Sequence, residues 1–170
     1  MNDRAPTDEV LMSALQGGDH AAYEVLYQRW SARIFHFLIR RTGSRSAAED
    51  ALQETWMRVY RFRDRFQTSR RFSSWLYAIA ANAGHDARKP EPESFEWEPS
   101  GEDHPELRDY LVRALHQLDP KDRRVLLLFM EGFESPEIGQ MVNMKPSAVR
   151  MRIRRAREKI KATLGALDDG

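Results

Sequence analysis

Residues 149–164 confine the end of this chain to a helix with two faces. Val149, Ile153, Ala156, Ile160 and Leu164 recur at steps of four, three, four and four, the repeat of one side of an α-helix. From Lys145 to Lys161 stand eight Lys or Arg residues against one acid, Glu158. A solvated helix face ordinarily mixes signs so that partners pair four apart; this one does not. Ahead of it, Ser135-Pro136 starts a short helix, and Asn143 tolerates the left-handed conformation that ends one. A short helix, a turn and a cation-rich second helix form the pattern of a helix-turn-helix, whose second helix enters the DNA major groove. The N-terminal part of that helix (Ser147, Arg150, Met151, Arg154) is expected to reach base edges, with Arg155 and Arg157 nearer phosphate.

A second feature divides the chain. Four of its eight prolines (90, 92, 99, 105) fall within KPEPESFEWEPSGEDHP, and residues 90–106 hold seven acids and no Lys or Arg. Acidic, proline-rich sequence with almost no aliphatic residues reads as an extended linker. The expected organisation is all-α: one small helical domain over 5–89, a linker over 90–105, and a second helical domain over 106–168.

Apolar spacing places the helices of each module. In the first, Val10, Leu11, Ala14 and Leu15 form a short helix stopped by Gly17-Gly18. Asp19 caps a long helix with Tyr23, Leu26, Trp30, Ile34 and Leu38 inward, ending at Gly43. Ser46 to Glu49 reads as a capping box opening a third, with Ala48, Leu52, Thr55, Trp56 and Val59 inward. A loop over Phe66–Arg71 leads to a fourth, carrying Trp75, Leu76, Ile79, Ala80 and Ala83. In the second module Pro105 starts a helix with Leu107, Leu111, Ala114, Leu115 and Leu118 apolar. Asp119-Pro120 starts the next, with Val125, Leu128 and Phe129 apolar. Gly139 is expected where two helices cross closely.

Enzyme chemistry finds no purchase. There is no Gly-rich phosphate loop, no zinc-binding His-Glu pair and no nucleophile elbow. The five histidines are dispersed without metal-ligand spacing, so neither a metal nor another cofactor is expected. The chain has no cysteine, which suits a reducing compartment. A polar N-terminus and the lack of a long apolar run predict a cytoplasmic protein with no membrane insertion. The net charge of +1 is uninformative; what matters is the separation of an acidic middle from a basic end.

Two further stretches invite partners. Residues 55–77 interleave seven aromatics with six arginines, a composition suited to single-stranded nucleic acid, where cations follow the backbone and rings stack on bases. Its loop, Phe66–Arg71, is the expected functional part, because loops bury little. On the third helix Asp50, Gln53, Glu54 and Met57 lie on one side, away from Leu52 and Val59.

In order, ALQGGDHAAYEVLYQRW, AAEDALQETWMRVYR, FSSWLYAIAANAGHDARK and LDPKDRRVLLLFMEGFESPEIGQMVNMKPSAVRMRIRRAREKI closely resemble the extracytoplasmic-function sigma factors of bacterial RNA polymerase. The likeness runs over about residues 8–165. It implies that Asp50, Gln53, Glu54 and Met57 dock on the β′ clamp helices of core polymerase, and that the second module meets the β flap. It implies that Phe66, Arg70, Arg71, Ser73, Ser74 and Asn82 melt the −10 region and capture an unstacked base. The final helix corresponds to the reader of the −35 element, and the linker to the segment threading the polymerase cleft. An anti-sigma protein is the implied regulator. The chain departs from the family in lacking a basic residue in YAIAANAG, which leaves −10 engagement to Arg70, Arg71 and Asn82, and in carrying Asn143 at the turn where glycine is usual. The rival reading is a free-standing helix-turn-helix regulator with a helical sensing domain, which would bind duplex DNA without polymerase.

Overall fold

The computed structural model describes residues 5–84 and 105–168, and among these every regular element is helical. The first module comprises α1 (Asp8–Gln16), α2 (His20–Thr42), α3 (Arg45–Arg61), a 3-10 turn at Arg63–Arg65, and α4 (Phe72–Asn82). The second comprises α5 (Pro105–His116), α6 (Pro120–Met130), α7 (Ser135–Val142) and α8 (Pro146–Asp168). Apart from Pro105, the expected linker lies outside the described residues.

Short polar side chains start the helices by accepting backbone N–H groups that have no partner in the first turn. Thr7 takes Val10, Asp19 takes Ala21, Ser44 takes Ala47 and Asp119 takes Lys121. The third helix therefore begins two residues before the predicted capping box. Ser44 supplies the cap, and Glu49 pairs instead with Arg45 at 3.0 Å.

The apolar seams bury largely as their spacing demands. Leu26, Ile34 and Leu38 of α2, Ala48, Thr55, Trp56 and Val59 of α3, and Leu76 and Ala80 of α4 are buried. So are Val149, Ile153 and Ala156 of α8. Four residues of the predicted apolar seams face out instead, Val10 and Leu164 near the ends of their helices among them. Leu111 is 36% exposed and Phe129 is 39% exposed, since α5 and α6 bury Leu115, Val125, Leu127 and Leu128 on a neighbouring side. Gly139 does make a close approach, but to the turn rather than to a crossing helix. A Cβ there would lie 2.5 Å from the Met144 carbonyl oxygen, which comes over α7 because Asn143 turns the chain at φ 55°.

The two modules do not stand apart. Helix α4 packs on α7, and α2 on α5 and α6, so the buried residues form one continuous apolar cluster. Tyr77 bridges the boundary, its ring edge-on to Phe37 on one side and Phe133 on the other, each centroid 5.2 Å away. Its hydroxyl donates to Glu131 at 2.8 Å. Burial, and then that carboxylate, push the phenol above its ordinary range. Glu131 also accepts from Arg40. Arg41 donates to the Ala80 and Ala83 carbonyls at the end of α4, a cation against a helix C-terminus. Beside it Arg123 reaches the Arg41 carbonyl and the His116 ring. Burial and the Arg123 charge hold His116 down at about 4. Gly43 makes room for that ring: a Cβ would fall 2.5 Å from it.

Candidate nucleic-acid interface

Helix α8 presents its cations in two distinct situations. Ser147, Arg150, Met151, Arg154, Arg155 and Arg157 are all exposed, Met151 to 60%. Arg154 is tied to Glu158 at 3.0 Å, but with its side chain 81% exposed that pair contributes little and yields readily. Arg155 leans toward Asp122 at 3.5 Å, and Arg157 lies over the Phe129 ring at 5.9 Å. Arg152 is committed elsewhere. Its guanidinium meets Asp122 at 2.5 Å and is only 24% exposed, so it fastens α8 to α6. A cavity of about 520 Å³ opens beside these residues, lined by Phe129, Ser135, Ile153 and the stems of Arg150, Arg154 and Arg157.

The residues expected to hold an opened strand gather at the start and along one side of α4, but they are not equally free. Arg70 and Arg71 are exposed, and Ser73 is half-buried. Phe66 is not available: it is 4% exposed, with its ring against Phe72 at 6.0 Å and Trp75 at 5.2 Å. This corrects the expectation that the loop buries little. Gln16 pins the loop from below, donating to the Arg63 and Phe66 carbonyls at 2.8 Å each, and Glu9 accepts the Phe72 N–H at 2.9 Å. That hydrogen bond lowers the Glu9 carboxyl below its usual range. Ser74 and Asn82 are both occupied by the second module. Ser74 donates to Glu137 at 2.6 Å. Asn82 accepts from Arg124 at 3.0 Å and donates to the Met141 carbonyl at 3.3 Å.

On α3, Asp50 and Gln53 point to solvent and Met57 is 71% exposed. Glu54 differs. It pairs with Arg58 and accepts the Gly84 N–H at 2.8 Å, which ties α3 to the end of α4. Beside Met57 lies a cavity of about 610 Å³, with His20, Tyr23 and Tyr60 in its wall.

Residues 26–90 match the family described as Sigma-70 region 2, and residues 108–160 the family described as Sigma-70, region 4. The RNA polymerase sigma factor CarQ of Myxococcus xanthus is 35% identical, over 92% of this chain and 97% of its own length. The chain belongs to the extracytoplasmic-function sigma factors. The ECF RNA polymerase sigma-E factor of Escherichia coli is 31% identical over 91% of the chain and 92% of its own length. The fold matches that of the sigma factor RpoE in complex with the anti-sigma factor NepR from Bartonella quintana. There the TM-score is 0.72 at 21% identity, covering 84% of this chain and 96% of the other.

As a sigma factor, the protein is a promoter-recognition subunit of RNA polymerase and not an enzyme; the free-standing regulator is not favoured. Among the described residues no helix is long and apolar enough to cross a membrane. Four residues around this surface escaped sequence reasoning: Glu9, Gln16, Glu131 and Glu137. Each acts across more than 45 positions of chain, and periodicity within one helix carries no signal of such pairings.

Proposed function

We propose that this sigma factor divides promoter recognition between two surfaces and polymerase attachment between two more. The exposed row Ser147, Arg150, Met151 and Arg154 reads base edges of the −35 duplex, while Arg155 and Arg157 hold phosphate. Arg70, Arg71, Ser73, Ser74 and Asn82 hold the displaced −10 strand. Phe66 acts beneath them by fixing the loop from inside, a positioning role that its burial supports. Coupling two weak sites multiplies selectivity.

The single observation that carries the polymerase assignment is the open face of α3, where Met57 stands 71% exposed beside a cavity about 610 Å³ in volume. An exposed methionine at the mouth of an aromatic-walled cavity suits docking of a partner helix. Asp50 and Gln53 beside it meet the β′ clamp helices, and the second module meets the β flap. Glu54 contributes mainly by holding α3 to α4. An anti-sigma protein, as in the Bartonella complex, covers the exposed apolar residues Met57, Phe129 and Met130. The site of action is the cytoplasm, with polymerase.

The test is capture of purified core polymerase by the immobilised sigma factor. Asp50→Ala with Gln53→Ala is expected to weaken capture about tenfold, the size of one or two moderate interface contacts. Unchanged capture would remove this face from the interface.

A further inference from the structure

We propose that α1 belongs to the strand-selecting machinery, with Gln16 and Glu9 as positioning residues that hold the two ends of the loop before α4 and so sharpen its choice of bases. This role rests on the −10 assignment proposed above and adds an element outside it, since the region 2 match begins at residue 26, beyond α1.

Residues 67–71 are all exposed, and they stand between two buried rings, Phe66 and Phe72. The backbone at both ends is held by α1. At the first end the Gln16 side-chain amide spends both of its N–H groups, donating to the Arg63 and Phe66 carbonyls at 2.8 Å each. At the second the Glu9 carboxylate accepts the Phe72 N–H at 2.9 Å. Arg71, the residue before α4, makes no side-chain cap of its own. Glu9 therefore fills from another helix the place that Ser44 fills for α3. Between these anchors the loop closes on itself at a turn, where the Arg70 N–H donates to the Gln67 carbonyl at 2.9 Å.

Glu9 and Gln16 are seven residues apart, two turns of helix, so they share one side of α1 about 10 Å from each other along its axis. A rigid helix thus fixes the span of the loop. Helix α1 is itself anchored on α2. Leu11, Met12 and Leu15 are buried, and the Asp8 carboxylate meets Arg29 at 3.1 Å and accepts the Trp30 indole N–H at 3.0 Å. A loop held only by its own turn would have to be ordered by the strand it captures, and that cost would oppose every base alike. With both ends fixed beforehand, the loop meets the strand in one shape, and an ill-fitting base finds no other shape to accommodate it. Helix α1 contributes to discrimination without touching DNA.

The test uses holoenzyme purified by a C-terminal tag on the sigma factor and then by size, so that each particle contains both proteins. Short single DNA strands of random sequence are captured on it and sequenced, with core polymerase alone as background. Enrichment of the preferred bases reads selectivity. Because enrichment is a ratio within one pool, it does not follow how much holoenzyme each preparation holds. Gln16→Ala is expected to lower enrichment about tenfold, the size of two hydrogen bonds lost together. Gln16→Glu, which removes both donors at nearly unchanged size, should do the same. Glu9→Ala should lower it about threefold, as the loss of one cap. Glu9→Gln keeps an oxygen for the Phe72 N–H and should stay near wild type. Gln28→Ala, exposed on α2, should leave selectivity as it is. Undiminished enrichment in both Gln16 variants overturns the proposal. So does a loss in Glu9→Gln as large as in Glu9→Ala, because charge and not the held backbone would then be responsible. If wild type enriches no base over core polymerase alone, the −10 assignment itself is wrong, and the role of α1 falls with it. If wild type does enrich and the Gln16 variants match it, only the role of α1 falls.

Discussion

Gly139→Ala is expected to destabilise the second module by about 2 kcal/mol, although alanine is the better helix former. Alanine's intrinsic preference inside a helix over glycine is worth about 1 kcal/mol. Against it stands the Cβ, placed 2.5 Å from the Met144 carbonyl oxygen. That oxygen belongs to backbone and cannot swing aside; the Met144 N–H meanwhile donates to the Gly139 carbonyl at 2.8 Å. Relieving such a clash costs about 3 kcal/mol, so the steric loss wins. For a chain of this size the melting temperature should fall by about 5 °C, read by circular dichroism. Because the turn sets the angle of α8 on α7, −35 affinity should fall with it. A variant as stable as wild type would show that the turn has another way to close.

The second large effect concerns α8, the proposed reader of the −35 duplex. Arg150→Ala and Arg154→Ala are each expected to weaken binding to the preferred −35 duplex about ten- to a hundredfold, and to relax preference at the bases they face. A good base-edge contact carries about 1–3 kcal/mol of discrimination. Arg157→Ala should instead weaken every duplex alike and reduce the log–log salt slope by about 1, from about −5 if six cations neutralise phosphates. Arg152→Ala belongs to neither class. Its ion pair with Asp122 joins α8 to α6, so its loss should appear as stability and leave base preference alone. Titrations against duplexes of several sequences at several salt concentrations separate the three behaviours. No salt dependence at all would contradict duplex binding by this helix.

The apolar spacing of α2, α3, α4 and α8 made those helices legible from sequence, because one face of each is buried over several turns. Asp19, Asp119, Gly43 and Asn143 were legible as boundaries for local chemical reasons that need no tertiary context. Ser44 was missed because Ser46 offered a closer match to the capping-box spacing, and only the structure decides which serine has an extended backbone. Leu111 and Phe129 were misplaced since a helix with apolar residues on two adjacent stripes leaves the choice of inner stripe to its neighbours. The arginine row and the α3 stripe could be read as exposed faces. That the arginine row faces DNA was read from its own pattern, whereas what the α3 stripe touches came only from the family resemblance. Docking of the two modules, and with it the roles of Glu131 and Glu137, could not be read at all. It depends on pairing side chains 54 and 63 positions apart.

Initiation itself tests the account most directly. Core polymerase and this sigma factor, combined on fragments of the genome that encodes it, should start transcripts at sites sharing two short elements at one spacing. Core polymerase alone should not start them, and with Asp50→Ala and Gln53→Ala in the sigma factor it should need about tenfold more of the variant to do so. Tight duplex binding by the free protein, with no new start sites in the presence of polymerase, would contradict it.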